Sequence, residues 1–503
     1  MRTIDLQVEA GTVRGERLDG MAVFRGVPYA APPFGANRFL PPQPVPRWDG
    51  VRDAVASGLG FPQPVMPGSD PDLLAYVNPT DQGDDCLVLD VWTPDPRGGG
   101  LPVMVWIHGG GFMAGGGGSP LHRGDTFARD GVVHVSINYR MSYDGFLYLG
   151  PGRANLGMLD QVAALEWVQA NIAAFGGDPD NVTIFGQSAG GVSVMHLLTM
   201  PLAQGLFRRA IAQSGSSMGA EPMDSAQELL ARGAALLGVA PTPEAIAEVP
   251  RDQLLHATLM FSIEYLAPAL WGRRSFMISP FRPIVDGDVI PDGCVPSATA
   301  GVGATVPLLT GTTRDECTFA MYPLGMLDEL NDAWADMALD AFGVSWEDLE
   351  AYRKGSRPDA SRGELVQAAW TDWAFRIPTL RLAEAREASA ARGADTWVYE
   401  LAWGSPTVPS VGAVHALDVP FVFDHAREMH EAVPADLDLL GPDAPQSLAD
   451  AMHGAFVRFA TDGDPGWTPY DLDRRVTMRF DTESAPVDDL AGPVERQLWE
   501  GRR

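Results

Sequence analysis

The chain has 503 residues, 46% of them hydrophobic, so it can bury a large core, and its length alone would allow two or three domains. Its 36 basic and 65 acidic side chains give a formal charge of −29, which argues against nucleic acid and anionic membrane surfaces as partners. Three cysteines, Cys86, Cys294 and Cys317, make neither a disulfide framework nor a paired metal spacing, and His-Glu-x-x-His is absent, so no metal is expected. Lys354 is the only lysine, and the richness in Ala, Gly, Pro and Asp points to a GC-rich bacterial genome. The first five residues lack the apolar core of a signal peptide, and no run of about 18 apolar residues follows, so a cytoplasmic location is expected.

Residues 13–48 alternate short apolar stretches with turn residues, which predicts β-hairpins followed by a proline-rich wrap. Residues 87–92 and 103–107 predict strands, the second apolar on both faces and therefore central in a covered sheet. Directly after it come His108-Gly109-Gly110-Gly111-Phe112 and a second glycine run at 115–118. A buried strand is predicted at 132–137, and an amphipathic helix from Asn155 to about Phe175. The apolar run 182–185 then breaks into Gly186-Gln187-Ser188-Ala189-Gly190, with a helix predicted from Ala189 to about Met200. Strands at 210–213, 306–311 and 396–401 follow, separated by helical insertions at about 225–279 and 327–389. Strands alternating with helices predict the α/β class, with a mostly parallel sheet covered by helices on both faces, in a single domain over 1–503.

Gly186-x-Ser188-x-Gly190 between a strand and a helix has the pattern of a nucleophile elbow, which lifts a serine hydroxyl above the sheet. Its glycines fit a turn so tight that a Cβ would meet neighbouring backbone, and the helix aims its positive end at the serine. A serine becomes a nucleophile only when a base takes its proton and a third group holds the base, and with this elbow the chain order is serine, acid, histidine. Asp315 and Glu316 both follow the strand ending at Gly311, and spacing does not choose between them. Of the later histidines, His415 lies in a small-residue loop beyond the strand 396–401 and is favoured by position. His425 and His430 sit in an acidic segment read as exposed surface, and His453 on an amphipathic helix around 448–459. The glycine loop at 108–111 matches one that turns N–H groups toward a forming oxyanion, with Ala189 as a further donor; one such donor is worth about 3 kcal/mol.

These stretches, together with residues 24–30, 32–39, 84–87, 155–161, 175–179, 210–215 and 283–287, closely resemble the type-B carboxylesterase and cholinesterase family. The resemblance implies an α/β-hydrolase fold with its site deep in a gorge, and ester hydrolysis through an acyl-serine without a cofactor. It implies Ser188 as nucleophile, His415 as base, Glu316 rather than Asp315 as the acid, and Gly110, Gly111 and Ala189 as oxyanion donors, with Ser214 near the triad. Three positions depart from the family pattern. Gln187 stands where glutamate is usual, Phe61 stands where Cys86 would find a disulfide partner, and Cys317 replaces a glycine after the acid. A thiol there is expected either to react with thiol reagents or to be a small buried filler.

Phe112 and, in the first insertion, Tyr265, Leu270, Trp271, Phe276 and Met277 are expected at the substrate pocket, favouring apolar acyl or aryl groups. The segment before Cys86 offers Tyr76 but no tryptophan, which speaks against choline esters. A carbamate or amide hydrolase, or a biosynthetic acyl transferase or cyclase, could use the same scaffold. A non-catalytic binding protein is the weakest reading, because the triad is complete. The expected partner is a small-molecule ester, with neither nucleic acid nor membrane, for a monomer or homodimer.

Overall fold

Along the strand Leu101–Ile107, side chains leave alternately for two separate cores. Val103, Val105 and Ile107 join one apolar cluster, Met104 and Trp106 another, and all five are at most 1% exposed. Successive residues of a strand point to opposite faces, and burying each such side chain contributes roughly 1.5–3 kcal/mol. This strand is therefore stable only with helices on both sides. In the computed structural model, which describes residues 3–65, 69–78, 81–216, 218–391 and 393–502, it has them. Leu156–Asn171 and Ala189–Thr199 cover one face, and Asp125–Arg129 and Gln446–Asp462 the other.

Thirteen strands form one sheet. Its parallel part runs, neighbour to neighbour, through Val133–Ile137, Leu101–Ile107, Gly177–Gln187, Arg209–Gln213, Leu308–Thr313, Thr396–Leu401 and Thr477–Phe480. An antiparallel flank of Thr3–Val8, Gly11–Leu18, Met21–Pro28 and Val88–Thr93 joins at Val133–Ile137. The strand expected at 306–311 begins and ends two residues later. Thr312 and Thr313 pair with Glu400 and Leu401, as β-branched residues readily do. Helices Met223–Leu237, Arg251–Tyr265 and Pro268–Trp271 fall in the first expected insertion, and Asp332–Phe342, Arg362–Thr371 and Ile377–Ala388 in the second. Among the described residues no single helix is long and apolar enough to cross a membrane.

Two expectations need correction. The helix Leu156–Asn171 keeps only a narrow outer stripe, with Leu159, Ala163, Glu166 and Ala170 on it, and two of the polar residues read as lying on its wet side, Asp160 and Gln161, are buried. These two are paired inward: Asp160 accepts from Arg140 Nε at 2.8 Å and Nη2 at 2.7 Å, and Gln161 donates to Ser193 Oγ at 3.1 Å. Removing one partner of such a buried ion pair costs about 3–5 kcal/mol. Likewise His425 is only 3% exposed, since its ring nitrogens bond Leu121 O and Asp125 beneath the acidic segment.

Candidate active site

Strand Gly177–Gln187 ends one residue before helix Ala189–Thr199 begins, so the whole reversal falls on Ser188. Its φ of +58° and ψ of −121° lie in a region that costs a residue with a side chain about 1–3 kcal/mol. Ser188 N–H donates to Gln213 O at 2.9 Å and Ser188 O accepts from Val192 N–H at 2.8 Å, which hold the turn. The flanking glycine is required by close approach: a Cβ at Gly190 would lie 1.9 Å from Ile107 O. The hydroxyl is thereby presented at the end of a helix that carries roughly half a positive charge.

Strand Leu308–Thr313 delivers both candidate acids, and their side chains diverge. Glu316 is 0% exposed; one carboxylate oxygen accepts from Thr313 N–H at 2.8 Å and the other faces His415 Nδ1. Asp315 turns away to accept from Ala413 N–H at 2.9 Å and from Arg357 at 2.8 Å. Burial pushes the Asp315 carboxyl up, but Arg357 and Arg314 beside it hold it below the usual range. Asp315 thus ties the loop carrying His415 to the strand end, while Glu316 meets the histidine. His425, His430 and His453 are elsewhere, on Asp125, Asp438 and Asp130.

The His415 ring packs against Phe319 and Phe375, with centroids 5.2 and 5.1 Å away, and its Nε2 lies 3.2 Å from the side-chain nitrogen of Gln187. The glycine loop is anchored from below. His108 stacks on Tyr139 at 4.4 Å, and its carbonyl accepts from the Tyr139 hydroxyl at 2.8 Å. Burial pushes the His108 imidazole down to about 4. Gly110 has φ +104°, and a Cβ there would lie 1.9 Å from Ala114 O, so only glycine fits.

A cavity of about 410 Å³ gathers these parts: Ser188, His415, Gly110, Gly111, Ala189, Gln187 and Ser214 all line it. Glu316 lies behind His415 and outside the lining. Phe112, Phe276 and Met277 are in the wall as expected, whereas Trp271 is not. The short helix Pro268–Trp271 stops at Gly272, whose φ of +54° turns the chain, and the Trp271 indole packs inward on Tyr265 at 5.3 Å and Phe261 at 5.9 Å. Tyr265 is also off the cavity, and Leu270 is 67% exposed. Tyr76 is buried away from the site.

Ile278, Ser216, Arg282, Phe319 and Phe375 are lining residues that sequence reasoning missed. Phe375 sits in a π-helical turn, Asp372–Arg376, a hydrogen-bond slip that no hydrophobic period announces. Phe319, three residues past Glu316, could have been found by its nearness to the acid. The Ser214 hydroxyl has no protein partner among the described residues, and the backbone N–H of Ser214 donates to Gly311 O at 2.8 Å. Cys317 is buried, and burial together with the Glu316 charge pushes its thiol well up, which favours the filler reading over reactivity. Cys294 touches His196 at 3.4 Å, yet burial pushes that thiol up to about 12 and the imidazole down to about 4, leaving an inert neutral pair.

The chain matches the carboxylesterase family over residues 2–490. It is 34% identical to the para-nitrobenzyl esterase of Bacillus subtilis, with 97% of each chain covered. It is 36% identical to the phenmedipham hydrolase of Pseudarthrobacter oxydans, with 96% of each covered. A solved carboxylesterase of Geobacillus stearothermophilus superposes with a TM-score of 0.84 at 35% identity, covering 98% of this chain and 99% of that one. With its mostly parallel sheet flanked by helices, the chain belongs to the carboxylesterase family: it is a serine carboxylesterase of the α/β-hydrolase fold.

Proposed function

We propose that this chain hydrolyses neutral esters with apolar acyl or aryl groups by two-step acyl transfer, with Ser188 as nucleophile, His415 as base and Glu316 as the acid that holds it. His415 takes the serine proton through Nε2, which the Gln187 amide vacates as the hydroxyl attacks the ester carbonyl. The oxyanion is received by the N–H groups of Gly110, Gly111 and Ala189. The alcohol leaves with the proton from His415, and water, deprotonated by the same ring, hydrolyses the acyl-serine. The scheme balances with no cofactor.

The observation that carries this reading is the single cavity onto which Ser188, His415 and the three donors open. Its volume of about 410 Å³ lies within the range of small-ligand sites, and most of its wall is apolar. Arg282, a cation in that wall, is engaged by Glu221 and the Tyr265 hydroxyl, which favours uncharged substrates. A carbamate-hydrolysing reading has one observation in its favour, the relative named phenmedipham hydrolase. We also infer a reducing, cytoplasmic setting in a bacterium, supported by three cysteines that are all free thiols and by the near-absence of lysine.

The test is hydrolysis of para-nitrophenyl esters of increasing chain length beside matched carbamates. Ester turnover with an optimum at short to medium acyl chains is the expected result. Faster turnover of the matched carbamate would favour the second reading, and no turnover of either would overturn both.

A further inference from the structure

Each edge of the His415 ring has a partner. Nδ1 faces the Glu316 carboxylate, and Nε2 lies 3.2 Å from the Gln187 side-chain nitrogen. An ionised carboxylate can only accept, so Nδ1 carries the proton, and Nε2 of the neutral ring is left with a bare lone pair. The group facing that lone pair must donate, which orients the Gln187 amide with its N–H toward the ring. Among the described residues, this amide is the hydrogen-bond partner of Nε2 in the resting site.

The amide is held in place. Gln187 is 5% exposed, its backbone pairs with Gln213 in the sheet, and Gly109 makes room for its side-chain oxygen, which a Cβ at Gly109 would approach to 3.0 Å. Other groups around the ring leave this position decisive. Phe319 and Phe375 are apolar, and Asp315 is turned to Arg357. Asp418 is buried under Gln213 at 2.9 Å and the Tyr399 hydroxyl at 3.0 Å. Burial pushes Asp418, Tyr399 and Cys317 all upward, toward their uncharged forms.

Resting on the triad reading above, we propose that Gln187 is a positioning residue: its amide donor holds His415 in the neutral Nδ1–H tautomer and keeps the acidic limb of the pH–rate profile lower than a carboxylate at 187 would. A neutral donor at Nε2 stabilises only the unprotonated ring, whereas a carboxylate there would stabilise the imidazolium. The ring would then stay protonated to higher pH, and the enzyme would lose its base in mildly acidic solution.

The experiment is kcat/KM against pH for wild type, Gln187→Glu and Gln187→Met on para-nitrophenyl butyrate. The acidic limb should move up by about one unit or more in Gln187→Glu, the shift that an opposite charge at such range produces, and by less in Gln187→Met. A Gln187→Glu limb at or below the wild-type one overturns the proposal. Independently of turnover, the downfield proton resonance of the His415–Glu316 hydrogen bond is followed against pH by NMR. Its midpoint should lie lower in wild type than in Gln187→Met, and coincident midpoints overturn the proposal. Wild type inactive on every ester but with shifted midpoints would sink the esterase reading alone.

Discussion

Two groups of histidines in this protein meet the same sheet in different surroundings and with different uses. His415 sits on a loop beyond the strand ends, with a buried carboxylate at one nitrogen and a cavity at its face. His122, His134, His425 and His453 gather under the sheet around Phe127, Phe185, Phe423 and Trp106. There, burial pushes His122 and His134 down to about 3, and the ring nitrogens of His425 and His453 are occupied by carbonyls and by Asp125 and Asp130. A histidine with an acidic neighbour is therefore not enough for catalysis. An open face and an acid aimed at the far nitrogen make the difference.

The sharpest way to break this comparison is to truncate one member of each group. His415→Ala should lower kcat by about 10,000-fold or more, while His453→Ala should leave kcat of the folded enzyme within a few-fold and lower its Tm. Loss of activity in a folded His453→Ala would erase the distinction. Next in size, Gly110→Ala forces a Cβ toward Ala114 O in a backbone with φ +104°, so the loop must move its N–H. A kcat loss of about 100- to 1,000-fold is expected, as for removal of one oxyanion donor. Unchanged kcat would exclude that N–H from the reaction.

The smallest effect concerns acid stability. His134 is fully buried, and neither ring nitrogen has a protein partner among the described residues. Its folded value of about 3 lies below the ordinary one, so the unfolded chain binds the extra proton once pH falls below about 6.5. His134 thus contributes nothing at pH 7 and destabilises progressively from about pH 6.5 downward. Asp90, which burial raises to about 6, has the opposite sign and loses stability as pH rises. His134→Leu should flatten the fall of Tm between pH 7 and pH 4, and an equally steep fall in the variant would contradict the assignment.

Much of this was legible in the sequence for physical reasons. The elbow announces itself because Gly190 has no alternative with Ile107 O so close, and the central strands because both their faces are apolar. Glu316 and Asp315 could not be told apart by spacing, since adjacent residues leaving a strand differ only in direction, and Arg357 and Ala413 decide which one turns where. Trp271 was misread because an aromatic near a pocket-forming segment suggests a wall, whereas the turn at Gly272 sends its ring into the insertion's own core. His425 was misread because acidic neighbours suggest solvent, though Asp125 is what its ring binds. Phe375 had no signal, because a π turn leaves none in the pattern.

The central claim is that one serine carries the acyl group, and it is tested most directly by acid-quenching steady-state para-nitrophenyl ester hydrolysis and mapping the adduct by peptide mass spectrometry. The expected result is an acyl mass on the peptide containing Ser188, absent in Ser188→Ala together with turnover. An adduct on another residue, or wild-type turnover by Ser188→Ala, would contradict it.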